Sequence, residues 1–313
     1  MSESNKRNFI VHGSILAIAG ILVRIIGMLY RIPVVNIIGS EGNGIYGAAF
    51  NIYNIMLVLS SYGLPMAVSK LVSARFTKRR YKSAAKVLRC SLMVAVCTGG
   101  IAALLVFFGA SFIENVIYGG GLPGLAIPLR ILAPTIFLVA ILGVIRGFFQ
   151  GQSTMIPTAV SQILEQIVNA IVSIAAGYGM MKAFASSPDV AAYGAAGSTL
   201  GTAMGALTAV LFMGFLYAVY TPTFNRLKRK DRHTENQSTG QICKIIIYTM
   251  IPIILGQTFY QISALIDDVM FSNIMIGRDI TKSISMDLGN FSSSYSLLIG
   301  IPQGVASAMS ASM

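Results

Sequence analysis

Residues 9–38, FIVHGSILAIAGILVRIIGMLYRIPVVNII, form an apolar run that carries two arginines, Arg24 and Arg31. About 20 apolar residues suffice for a spanning helix, so this run reads as one. A central arginine costs about 2.5–3.5 kcal/mol on insertion scales, and neighbouring helices must then supply water or a partner. The two arginines are seven apart, nearly two helical turns, so both point to the same side and make one face of the helix cationic. Arg24 lies about 15 residues into the run, about 22 Å at helical rise, too deep to snorkel back easily. For Arg31, followed by Pro33 near the far end, snorkelling to the interface is the rival reading. The rest of the chain must insert this face, shelter it and offer it something anionic.

Composition sets the class. With 55% hydrophobic and 11% charged residues and a mean hydropathy of +0.72 over 313 residues, this is an all-α integral membrane protein. Spans are expected at 9–38, 45–69, 90–112, 126–149, 157–181, 194–220 and 245–276, with an eighth from 286 onward. No small-residue cleavage site interrupts the first run, which argues against a signal peptide. Of the 23 Lys and Arg residues, 17 fall on one side of this arrangement: Lys6, Arg7, eight from Lys70 to Arg89, Arg146 and six from Arg226 to Lys244. Only Lys182, Arg278 and Lys282 fall on the other, which places the N-terminus in the cytoplasm. The net charge of +12 therefore reads first as topology alone, with attraction to anionic headgroups or to a phosphorylated substrate as the alternative, and not as nucleic-acid binding. Cys90, Cys97 and Cys243 have no metal-ligand spacing, and neither a metal nor a disulfide framework is expected. His12 reads as interfacial and His233 as a loop residue.

A shift of 237 residues lays Gly63, Leu64, Pro65, Ala67, Val68 and Ser69 onto Gly300, Ile301, Pro302, Gly304, Val305 and Ala306. It also lays the first span onto the seventh, so six spans separate two copies of like orientation, as in transporters built from parallel repeats. The rival reading is a chance match of small residues in apolar sequence. Three regions are expected: a six-helix lobe over 1–225, a basic cytoplasmic linker over 226–244 containing RLKRKDRHTEN, and the start of a second lobe over 245–313. A full second copy would run to about residue 457, so a portion of a longer protein or a truncated product is expected. Under the shift Arg24 falls on Gln261 and Arg31 on Asp268, making the equivalent faces polar and opposite in charge.

Further polar faces lie inside the spans. Gln162, Glu165, Gln166, Asn169 and Ser173 recur at spacings of three and four, one stripe down the fifth span. Glu165 has three available roles: pairing with a buried arginine, titrating during proton or cation coupling, or locking two helices together. Asn51, Asn54 and Ser61 share a face of the second span, and Gln257, Gln261 and Asp268 one of the seventh, with Asp267 beside it. Candidate substrate contacts are therefore Arg24, Arg31, Asn51, Asn54, Glu165, Gln166, Asn169, Gln261 and Asp268. Arg130, just after Pro128, reads as interfacial, and Gly197, Gly201 and Gly205 as a close-packing stripe.

VRIIGMLYRIP at 23–33, SSYGLPMAVSKLVS at 60–73, RGFFQGQSTMIPTAVSQILEQIV at 146–168 and QISALIDDVMF at 261–271 resemble the SpoVB/YtgP group of polysaccharide biosynthesis proteins. That group is similar to MurJ-type lipid II flippases of the multidrug/oligosaccharidyl-lipid/polysaccharide exporter superfamily. The resemblance covers essentially the whole chain, and 146–168 is its most specific part. It implies a multi-span helical transporter fold of two pseudo-symmetric lobes around a cavity open alternately to each side, in the bacterial cytoplasmic membrane. It implies transport of an undecaprenyl-pyrophosphate-linked glycan, lipid II foremost, without covalent chemistry or a cofactor. A coupling ion is compatible but has no assigned identity, and the oligomeric state is open. Arg24 and Arg31 match the first-helix arginine pair at the cavity, spaced one residue wider than the usual pattern. Leu57 and Val58 stand where some members carry a second-helix arginine, and Glu165 matches a carboxylate characteristic of the group. The alternatives are a cation-coupled multidrug antiporter, an exporter of another lipid-linked polysaccharide or sporulation cortex precursor, a membrane enzyme, and a scaffold. An antiporter calls for a carboxylate-rich cavity, an enzyme for a clustered acid, base or metal set. A scaffold would tolerate loss of both arginines.

Overall fold

The computed structural model describes residues 3–232, 238–278 and 284–292, leaving aside the side chains of 3–14, 17 and 260. It contains α1 (Glu3–Ser60), α2 (Leu64–Thr77), α3 (Tyr81–Phe112) running into a π-helical turn (Ile113–Ile117), α4 (Ala126–Gln150), α5 (Ile156–Ala183), α6 (Val190–Lys230), α7 (Thr239–Ile276) and α8 (Ile284–Phe291). No strand occurs among the described residues. Six described segments are long and apolar enough to cross a membrane, and the chain is a multi-pass helical membrane protein.

The expected spans need one correction. The first two are the two limbs of α1, separate helices that meet without a loop; a straight helix of its 58 residues would be about 87 Å long, far beyond a bilayer core. The limbs divide at Gly39, whose φ of 72° and ψ of 177° only glycine adopts without strain. The second span, expected unbroken over 45–69, is interrupted at 61–63, and Pro65 sits in the first turn of α2, where no amide donor is required. The break diverts the Leu64 amide to the Ser61 carbonyl. The Ser60 carbonyl accepts instead from Thr98 Oγ1 at 2.9 Å, the re-satisfaction that a broken helix in a membrane needs.

The basic linker is also more helical than expected. α6 continues to Lys230 with Lys228, Arg229 and Lys230 in its last turn, where cations oppose the helix dipole, and α7 begins at Thr239 behind a Ser238/Gln241 capping box. Only Ile284–Phe291 of the eighth span is described as helix. The repeat partners Gly300 to Ala306 lie outside the described residues, as do His233 and the His12 side chain.

Packing centres on α4. Its Gly143, Gly147 and Gly151 form a small-residue stripe receiving α2: a Cβ at Gly143 would lie 3.1 Å from Pro65 Cγ, one at Gly147 2.6 Å from the Pro65 carbonyl oxygen. The predicted stripe on α6 behaves likewise against α5, with Gly205 over the Glu165 carbonyl oxygen at 2.6 Å and Gly201 over Ser173. Around Phe148, which is fully buried, Phe76, Phe224, Tyr217 and Tyr220 close an aromatic cluster with ring centroids 5.3–6.5 Å away. Two carboxylates cap helices from a distance. Asp231 accepts from the Lys82 amide at 2.8 Å, and Glu114 from the Gly124 and Ala126 amides at 3.0 and 2.7 Å.

Candidate functional site

The first limb of α1 meets α5 through small and polar residues. Gly27 leaves the space that Gln166 fills, since a Cβ there would lie 3.0 Å from Gln166 Nε2. One turn on, Asn169 Nδ2 donates to Tyr30 Oη at 3.3 Å while its Oδ1 accepts from Ser173 at 2.9 Å. Asn169 is thus turned into the bundle rather than toward an open cleft.

Arg31 takes a different surrounding. Its Nη2 donates to Ser292 Oγ at 3.0 Å, and its guanidinium lies 5.5 Å from the centre of the Tyr46 ring. The Nε atom is buried without an acceptor among the described residues. The side chain is therefore held by protein, by Tyr46 of the second limb of α1 and Ser292 just past α8, instead of snorkelling. An unsatisfied buried donor on a charged group costs about 1–3 kcal/mol or more, which an anionic oxygen at that position would recover. Arg24, on the same limb, is exposed.

A second polar crossing joins α1 to α7, where Asn51 Nδ2 donates to Asp268 Oδ2 at 2.5 Å. The 237-residue shift carries Arg31 onto Asp268, and Asn51 onto Leu288, one turn before Ser292. The two crossings, Arg31 to Ser292 and Asp268 to Asn51, are thus near-equivalents under the repeat. Beside them α8 lies directly on the second limb of α1: Gly44 faces the Ser285 carbonyl, Gly289 the Ser40 carbonyl, and Asn43 Nδ2 donates to the Gly289 carbonyl at 2.8 Å. The C-terminal end of α7 is fastened as well, Ser272 Oγ to the Tyr118 carbonyl at 3.0 Å and Asn273 Nδ2 to that of Ile117 at 2.9 Å.

Glu165 belongs to neither crossing. It accepts from Arg146 Nη2 at 2.7 Å, with side-chain exposures of 26% and 14%, while Arg146 Nε donates to Ser161 at 2.9 Å. Arg146, read from the sequence as a topology marker, is the arginine that Glu165 pairs with. Sequence spacing did not give this pairing: Arg146 lies nearer the turn at 151–155 than Glu165 does, and the packing of α4 and α5 with the reach of the arginine side chain brings the two charges together. Asn54 and Gln261 are half-buried, and Arg130 is exposed and donates to Ser111 at 2.9 Å. Tyr30, Tyr46 and Ser292 were missed, because an aromatic or a serine in an apolar run carries no signal until its neighbour is known.

The fold of this broken-helix bundle is similar to that of the inward-facing conformation of a multidrug resistance MATE family transporter of the MOP superfamily, with a TM-score of 0.64 and 17% identity over 93% of this chain and 64% of that one. Residues 10–313 match the polysaccharide biosynthesis protein family, and the chain belongs to that family. It is 34% identical over 176 residues to the lipid II flippase MurJ of Bacillus subtilis, covering 54% of this chain and 32% of that protein. It is 30% identical over 210 residues to stage V sporulation protein B of the same organism, covering 66% of this chain and 39% of that protein. The chain thus matches about a third of the length of these curated relatives.

Proposed function

We propose that this chain carries the substrate-binding first helix of a flippase that moves an undecaprenyl-pyrophosphate-linked glycan, lipid II foremost, across the cytoplasmic membrane with its N-terminus inside. The observation that carries the reading is Arg31: a half-buried guanidinium where α1 and α8 cross, whose buried Nε donor lacks an acceptor among the described residues. Arg24 is two turns away on the same limb, so one elongated diphosphate can be held by both through charge-assisted hydrogen bonds. The lipid tail would stay in the bilayer while the lobes rock and the headgroup changes sides. Binding and rocking require no bond to be made or broken. Coupling to the membrane potential would act on the net charge moved.

The test uses cells whose own flippase is shut off and reads the fraction of lipid II reachable by an external probe. Three proteins are compared: this chain, a version extended through the helices its relatives possess, and the extended version carrying Arg24→Gln or Arg31→Gln. Restoration by the extended protein and its loss with either substitution is the expected result. A well-inserted extended protein that restores nothing overturns lipid II as substrate and turns attention to other lipid-linked glycans, then to cation-coupled drug export.

A further inference from the structure

At the basic end of the bundle, away from the Arg31 crossing, Lys82, Lys86 and Arg89 of α3, Lys228 of α6 and Thr239 at the start of α7 surround a cleft of about 410 Å³. Among the described residues four cations line it and no acidic side chain does. Asp231, just beyond Lys228, directs its carboxylate to the Lys82 amide at the start of α3. Lys228 is steadied over the Phe224 ring, 5.1 Å from its centre. The rest of the lining includes the apolar Ala85, Cys90 and Met93.

The direction in which this cleft continues identifies its occupant. Lys82, Lys86, Arg89 and Met93 are spaced by four, three and four residues and share one face of α3. The same face continues through Val96, Gly100, Leu104 and Phe107, and its large side chains are all exposed. At Gly100 an added Cβ would meet nothing nearer than 4.0 Å, so the track is open there too. From Arg89 to Phe107 the track is about 27 Å long, close to the hydrocarbon thickness, and more than an acyl chain of one leaflet needs. A soluble phosphate would use the cations and leave the track idle; a phospholipid uses both.

We propose that this cleft is a binding site for the phosphate headgroup of an anionic glycerophospholipid in the leaflet at the basic end, with an acyl chain lying along the exposed face of α3. The site is independent of the transported substrate and predicts that the protein selects its surrounding lipid.

The experiment measures phosphatidylglycerol against phosphatidylcholine retained by the intact protein from mixed micelles, read by mass spectrometry of the protein–lipid complexes. Wild type should retain phosphatidylglycerol preferentially. Lys86→Gln/Arg89→Gln should lower that preference by at least about fivefold per cation removed, the ratio corresponding to about 1 kcal/mol per basic residue at a membrane surface. Arg89→Lys should keep it, which separates lost charge from damaged folding. Glycerol 1-phosphate should displace the lipid poorly. Equal retention of both lipids, or undiminished preference in the double variant, overturns the proposal. Efficient displacement by glycerol 1-phosphate would assign the cleft to a soluble phosphate ester instead. Loss of preference with Arg31→Gln but not with Lys86→Gln/Arg89→Gln would place the lipid at the α1 crossing and overturn it equally.

Discussion

The Arg146–Glu165 pair matches one of the roles open to Glu165, pairing with an arginine inside the bundle. A charge pair this far out of water is strongly dependent on both members, because removing one leaves the other partly desolvated and unpaired. Glu165→Gln should therefore cost about 2–3 kcal/mol, less than for a fully buried pair because both side chains remain partly exposed. The readout is the midpoint of thermal unfolding in detergent. Arg146→Met/Glu165→Met should recover most of the loss, since an apolar pair of similar volume carries no desolvation penalty. If Glu165→Gln instead unfolds like the wild type while transport stops, the carboxylate works in coupling and the helix-locking role falls. At this scale the sequence marked Glu165 and Arg31 as costly in an apolar run, since cost follows from composition alone. It left their partners unnamed, because Arg146 and Ser292 come from other elements.

Among the helices, the tightest seams are made by glycine. Gly201 of α6 lies against Ser173 and the Asn169 carbonyl oxygen, whereas Gly214 on the same helix has nothing within 4 Å of its would-be Cβ. Gly201→Leu should drive α5 and α6 apart and cost about 1–3 kcal/mol or more, while Gly214→Leu should be nearly neutral; the melting midpoints of the two variants provide the comparison. Equal effects would mean that the α5–α6 seam is not set by close approach. The break between α1 and α2 offers a second test. Thr98→Val removes the donor to the Ser60 carbonyl and should lower stability by about 1 kcal/mol, whereas Thr98→Ser should not. Small-residue spacing on α6 was readable beforehand because a period of four on a helix is a local property. The stripe at Gly143, Gly147 and Gly151 has the same period of four and is an equally local property. The helical break was not readable, since Gly63 and Pro65 permit one without requiring it; Thr98 makes it affordable.

For the molecule as a whole, the proposed alternating access requires the crossing of α8 over the second limb of α1 to part if a substrate cavity is to open at that end. A Cβ built at Gly47 lies 3.7 Å from Ser292 Cβ, within the range a disulfide needs. The pair Gly47→Cys/Ser292→Cys should therefore cross-link under oxidation and stop flipping in the extended protein, and reductant should restore it. Unchanged flipping in a fully cross-linked sample would show that this crossing stays closed throughout transport. The membrane class, the helical content and the family were all legible from composition, apolar run length and a few motifs, because inserting a helix in lipid is governed by the free energy of one segment at a time. Opposition of Arg31 and Asp268 under the repeat was likewise legible as a pattern. Only the tertiary structure decided that each would sit at its own helix crossing, Arg31 against Ser292 and Asp268 against Asn51, and that Glu165 would be claimed by Arg146. Those outcomes depend on which helices meet and at what height, and that choice belongs to the packing of the whole bundle, not to any single span.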